Sequence, residues 1–247
     1  MAPKERDMKI YVGTSGYAYK EWKGIFYPEK ISSKEMLRFY GERLNAVEIN
    51  YTFHHMPTER VLSPWAEQVP GDFAFALKAP QVFTHVKRLK EVGEEADYFF
   101  KTLAVLGEKT GPVLFQFPAF FRANLPRLEE FLPLIPENVR CAFEFRSATW
   151  HEAGVAELLR DRGHTLCTAD SDESPAHGII GPAAWGYLRL RRSAYTEADL
   201  SEWLERVRAQ QWERAFVFFK HEEEETEAPA GPDLALRFRE LAGVPCG

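Results

Sequence analysis

Three cysteines, Cys141, Cys167 and Cys246, are all that the 247 residues contain. Their number is odd and their spacing fits no metal motif, so a reduced, cytoplasmic protein is the simplest expectation. No window holds eighteen consecutive apolar residues, which removes a transmembrane helix and a membrane partner. The charged start, Met1 to Asp7, runs straight into a strand-like segment and does not read as a signal peptide. Walker and Rossmann glycine patterns are missing from every strand-to-helix turn, as is Gly-x-Ser-x-Gly. The seven histidines never recur at His-x-x-x-His spacing. Nor is there an excess of positive charge: 31 Lys and Arg against 37 Asp and Glu give a net charge of -6. That total argues against a non-specific polyanion binder, although a basic cleft can still sit in an acidic protein.

Core-forming residues are plentiful. Hydrophobic residues make up 45% and aromatics 14%, enough for a large core and too many for a disordered chain. Eight short runs rich in aromatic and β-branched residues read as strands: Ile10 to Thr14, Ala46 to Asn50, Phe73 to Lys78, Val113 to Phe117, Cys141 to Arg146, Thr165 to Asp170, Gly186 to Arg191 and Ala215 to Lys220. Helical spacing fills most gaps, as at Ala96, Phe99, Phe100, Leu103 and Leu106, while Ser171 to Pro182 suits only a turn. Eight alternations in about 250 residues predict an α/β fold, a single-domain (β/α)8 TIM barrel, with an open doubly wound sheet as the alternative. The expected limits are a flexible N-terminus over 1–8, the barrel over 9–243 and a tail over 244–247.

Side-chain alternation favours closure. Phe73, Phe75 and Leu77 oppose Ala74, Ala76 and Lys78, and Val47 and Ile49 oppose Glu48 and Asn50. One face suits a helix layer. The other is small at first and polar toward the strand ends, as a barrel interior must be when chemistry sits at its C-terminal face.

Several segments carry a family resemblance. They are Val12-Gly13-Thr14-Ser15-Gly16-Tyr17, Val47-Glu48-Ile49-Asn50, Phe75-Ala76-Leu77-Lys78-Ala79-Pro80 with Thr84-His85, Gly111 to Pro118, Phe143-Glu144-Phe145-Arg146 with Trp150, and Ala169-Asp170-Ser171. Together they resemble the YecE-like family, also described as domain of unknown function seventy-two. The resemblance implies a TIM barrel related in architecture to apurinic-endonuclease barrels, without an established activity. The chain departs from the family pattern at Arg189-Leu190-Arg191-Arg192, where Arg-Leu-His-Gly is usual, and at Phe218-Phe219-Lys220-His221.

Position and alternation nominate Glu48, Asn50, Lys78, Gln116, Glu144, Arg146, Asp170 and Arg189 as inward groups at the strand ends. Burying so many charges is costly unless they pair or meet a ligand. Lys78 is expected to serve as a base, an amine nucleophile or an anion contact; its bland alternative is an ion pair to Glu48 or Glu144. Glu48, Glu144, Asp170 and His85 complete the catalytic candidates. Arg146 and Arg189 suit a phosphate or carboxylate, Asn50 and Gln116 suit substrate orientation, and Tyr17 and Trp150 suit stacking. Lys87, Arg88 and Lys220, with Lys90, Arg122, Arg191 and Arg192, make a basic rim, opposed by the acidic run Glu222 to Glu225. No cofactor is expected. A divalent metal on Glu48, Glu144, Asp170, His85 and His221 is disfavoured by the cations in the same mouth. The leading expectation is an anionic, phosphate-bearing small-molecule ligand handled by acid/base or lysine chemistry. A nucleic-acid-binding or processing barrel and a non-catalytic adaptor are the alternatives.

Overall fold

A computed structural model describes residues 8–151, 153–220 and 231–245. Residues 1–7 of the expected flexible start over 1–8, His221, the acidic run 222–225 and Cys246 lie outside the described residues. Eight parallel strands form one sheet: β1 (Lys9–Thr14), β2 (Ala46–Ile49), β3 (Ala74–Lys78), β4 (Thr110–Phe117), β5 (Cys141–Phe145), β6 (Thr165–Asp170), β7 (Trp185–Leu190) and β8 (Arg214–Phe219). Their order, β1-β8-β7-β6-β5-β4-β3-β2, brings the first strand against the last, and β1 and β2 face each other to complete the TIM barrel.

The helices are α1 (Met36–Gly41), α2 (Tyr51–His54), α3 (Glu59–Gln68), α4 (Gly93–Leu103), α5 (Leu125–Phe131), α6 (Ala153–Asp161), α7 (Glu197–Arg208) and α8 (Gly231–Leu241). Capping fixes two of the starts. Asn124 accepts from the Arg127 amide before α5, and Thr196 and Asp199 exchange bonds in a capping box before α7. The β6–β7 connection, 171–184, contains no helix, as its composition predicted. No helix among the described residues is long and apolar enough to cross a membrane.

Alternation sorts the strand residues into two cores. Phe75, Leu77, Phe115, Phe143 and Leu188 join the layer beneath the helices. The barrel interior is filled by Ala46, Ala74, Ala76 and Ala142 on one side and by Trp185, Tyr187, Phe216 and Phe218 on the other. Small residues facing aromatics fill a barrel of this diameter without a pore. One register shift occurs, between Phe75 and Leu77 on β3, where Gly111-Pro112 of β4 is absorbed. Proline, which has no N–H to give a ladder, is tolerated at such a bulge.

The β1–β2 seam closes by other means. A single bridge joins Ser15 and Glu48. Below it the Asn45 side chain accepts from the Val12 amide at 2.7 Å and donates to the Ile10 carbonyl at 3.0 Å. The Tyr40 hydroxyl accepts from the Thr14 amide and donates to the Ala46 carbonyl. Gly13 is required here, because a Cβ would collide with the Ala46 carbonyl oxygen.

Candidate functional site

Glu48 on β2, Glu144 on β5 and Arg189 on β7 meet inside the C-terminal end of the barrel. Arg189 Nη2 lies 2.9 Å from Glu48 Oε1, and Nη1 lies 2.7 Å from Glu144 Oε2. Two further donors hold Glu48, the Tyr187 hydroxyl at 2.7 Å and the Ser15 hydroxyl at 2.8 Å. Glu144 accepts from Gln116 Nε2 at 2.7 Å, with Cys167 Sγ 3.9 Å from its other oxygen. Burial alone would raise both carboxyls. The Arg189 charge and the hydrogen bonds overcome it, holding Glu48 below the usual range and Glu144 down to about 2.

This network corrects part of the expected site. Arg189 is buried and both its terminal nitrogens are engaged, so it is an internal counter-ion and not an open anion clamp. Glu48 is likewise sealed, and Gln116 is occupied in orienting Glu144. Asp170 faces the other way. Its strand phase is opposite to that of Cys167, which packs inside the barrel. Arg192 grips Asp170 with Nε 2.8 Å from Oδ2, while the Tyr195 hydroxyl and the Ala176 amide donate to the same carboxylate. That arrangement ties the β6 and β7 loops together outside the mouth. Trp150 is fully buried, stacked on Phe145 at 4.2 Å with its indole N–H on the Phe121 carbonyl, so it packs a loop and offers no ligand surface.

Above the network the charges change sign. The ammonium of Lys78, at the end of β3, has no ion-pair or hydrogen-bond partner among the described residues and lies 4.2 Å over the Phe53 ring. The expected alternative of a pair with Glu48 or Glu144 is not formed. Burial, and then the Arg189 charge, lower the Lys78 amine to about 8. Arg146 is exposed, with Nε 3.5 Å from Glu144 Oε1. Arg191, just past β7, is half-buried and makes no ion pair among the described residues; burial and Arg189 lower its ordinarily high pKa. Four cationic groups thus share the mouth with two carboxylates, an excess of two positive charges when Lys78 is protonated. Asn50 Oδ1 is buried with no hydrogen-bond partner among the described residues.

His85 lies on the turn that follows Lys78. Its Nδ1 is 2.8 Å from the Thr84 hydroxyl and its ring is edge-on to Phe53. Burial and the charges of Lys78 and Arg146 lower its pKa. The turn, Val82–Val86, is a π-helix, and Arg88, Leu89 and Glu91 beyond it have φ of 49°, 66° and 51°. Strained backbone of this kind persists only where surrounding packing enforces it, and it clusters at binding sites.

The rim is less basic than its composition implied. Lys87 is paired with Glu95 at 2.6 Å, and Arg192 is taken by Asp170. Arg88 and Arg122 remain exposed, and Lys220 is half-buried at the end of β8. Tyr17 packs on the outer core, its ring 6.2 Å from Tyr40. Among the described residues no three His, Cys, Asp or Glu side chains form a group that could hold a metal ion. Tyr187 and Ser15 had no assigned place in the expected site, and Arg191 was expected only on the basic rim. The strand phase of Arg189 extends to Tyr187 and Arg191, so alternation held that signal.

The family model for a protein of unknown function, DUF72, matches residues 11–245. The chain belongs to the DUF72 family. A DUF72 family protein from Thermotoga maritima superposes with a TM-score of 0.81 at 26% identity, covering 95% of this chain and 99% of that one. One from Enterococcus faecalis gives 0.78 at 16% identity, with 96% of each chain covered. Aspergillus clavatus Sph3, solved in complex with GalNAc, shares the fold at a TM-score of 0.51 and 13% identity, covering 97% of this chain and all of that one. No curated protein matches. DUF72 membership fixes the barrel and assigns no reaction.

Proposed function

We propose that the mouth of this DUF72 barrel binds an anionic small molecule bearing a phosphate or carboxylate, with Lys78 as the working amine. One observation carries the reading: Glu48 is committed to Arg189 and Glu144 is shared between Arg189 and Arg146, which leaves Lys78 and Arg191 without a carboxylate among the described residues, in a mouth where Asn50 Oδ1 also lacks a partner among them. An anion restores the balance that the protein does not supply. Arg146 and Arg191 hold it, Asn50 orients it, and Lys78 contacts its reacting end. An amine at about 8 exchanges protons near neutral pH, so Lys78 serves as acid, base or nucleophile according to the ligand. Glu144 fixes Arg189 and keeps the field around Lys78 constant.

The test is a thermal-shift screen of phosphorylated and carboxylated metabolites on the wild-type protein and on Lys78→Met and Arg191→Ala. A ligand that stabilises the wild type and loses at least about ten-fold in affinity in each variant supports the reading. Equal binding by all three proteins overturns it. A second reading has its own observation: Phe120 and Tyr51 are exposed aromatics on the same face, and Phe120 lies two residues from the exposed Arg122. Aromatics beside cations suit the bases and phosphates of single-stranded nucleic acid. Anisotropy of a labelled oligonucleotide that survives physiological salt, and falls on Phe120→Ala with Arg122→Ala, would favour it.

A further inference from the structure

The barrel has a second polar opening at its other end. A groove of about 1070 Å³ crosses the N-terminal face, and a chamber of about 30 Å³ leads from it to the barrel floor. The floor is the stacked pair Tyr11 and Phe216, with ring centroids 4.6 Å apart. Arg140, one residue before β5, and Arg214, at the start of β8, border the groove, the chamber and a neighbouring recess.

Three side chains at this end, Arg140, Arg214 and Tyr11, offer polar groups to a ligand. Neither guanidinium has an ion pair or side-chain hydrogen bond among the described residues, although Arg140 is half-buried and the two repel each other. Tyr11 is only 7% exposed and borders the chamber, and its hydroxyl has no hydrogen-bond partner among the described residues. Lys9 adds a further cation, its ammonium 4.8 Å over the Tyr11 ring. The acidic groups facing this end are Glu108, which borders the chamber, Glu213, which acts on Arg140, Asp72 and the Lys101-paired Asp97 on the outer groove, and Glu137 on the neighbouring recess; none comes within ion-pair distance of either arginine.

We propose that the N-terminal end of the barrel is a phosphate site separate from the mouth. Arg140 and Arg214 supply charged N–H donors, Tyr11 supplies an O–H, and the Asn138 amide closes the edge. The chamber has room for a single oxyanion group, about the space of one or two waters. The outer groove has room for the remainder of a phosphomonoester. Glu108 favours a phosphate that retains a proton or hydroxyl to donate to it. The site does not depend on the reading of the mouth, because no residue is shared.

The experiment is calorimetric titration at matched ionic strength with inorganic phosphate, and separately with a nucleoside monophosphate, in the Lys78→Met background. Saturable millimolar binding is expected there. Arg214→Ala should weaken it about ten-fold and Tyr11→Phe about three- to ten-fold. Arg214 is exposed and Tyr11→Phe preserves shape, so both variants retain the fold. Tighter binding of the monophosphate assigns the groove to a phosphomonoester; equal binding assigns the chamber to free phosphate. Absence of saturable binding, or binding unchanged by both variants, overturns the proposal. Loss of phosphate binding on Lys78→Met alone would move the anion to the mouth and overturn it equally.

Discussion

Lys78→Met should make the protein more stable, against the usual direction for a half-buried residue. In the fold the amine is lowered from its ordinary 10.5 to about 8, since burial and Arg189 oppose its charge and no carboxylate pairs with it. Between those two values the unfolded chain holds a proton that the folded protein has released. Stability therefore rises with pH across that window, by up to about 1.4 kcal/mol per unit. Below pH 8 the whole penalty is present. The full shift corresponds to about 3 kcal/mol, and water at the mouth trims this to about 2. Methionine keeps the volume and removes the charge. At pH 7 the variant should gain about 2 kcal/mol in urea unfolding, or about 4–8 °C in Tm for a chain of this size. Near pH 10.5 the two proteins should converge. A loss of more than about 1 kcal/mol at pH 7 would show that the ammonium is satisfied in the fold, and would refute the charge argument for the mouth.

Arg189→Met leaves two buried carboxylates without their cation and should cost about 3–5 kcal/mol in chemical unfolding. Acid should act through the same network. Glu144 is held at about 2 against an ordinary 4.5, so its contribution is complete above pH 4.5 and disappears as pH falls toward 2. Glu144→Gln should flatten that acid limb. Trp150→Ala should cost about 3–5 kcal/mol by opening a cavity beside Phe145, with anion binding at the mouth unchanged. Asp170→Asn should cost about 1–3 kcal/mol through Arg192 and Tyr195, again without weakening the ligand.

Much of the fold was legible because two periodicities agree. All eight strands fall where aromatic and β-branched runs stand, and the helix-free β6–β7 connection matches its weak pattern. Alternation also placed Glu48, Lys78, Gln116, Glu144 and Arg189 inside the barrel. It was misapplied on β6, where Asp170 shares the phase of Leu166 and Thr168 and so turns away from Cys167. Pairing was beyond reach for a different reason. Arg189 meets Glu48 across 141 residues of chain, and only distance shows that it consumes both carboxylates and leaves Lys78 alone. Trp150 looked like a stacking residue by composition, but its loop folds back so that the ring is fully enclosed.

The seam between β1 and β2 bears on how the molecule is made. The regular partner of β1 is β8, and Lys9 pairs with Arg214, about 200 residues later. At synthesis rates of about 5–20 residues per second, the first strand waits about 10–40 s for its ladder. Until then Asn45 and Tyr40 can tether it to β2 through local contacts of low loop cost. Those two side chains act as a basting stitch, holding the leading edge in register until the last strand arrives. A nascent chain lacking them should expose a bare strand edge to its neighbours on a crowded ribosome.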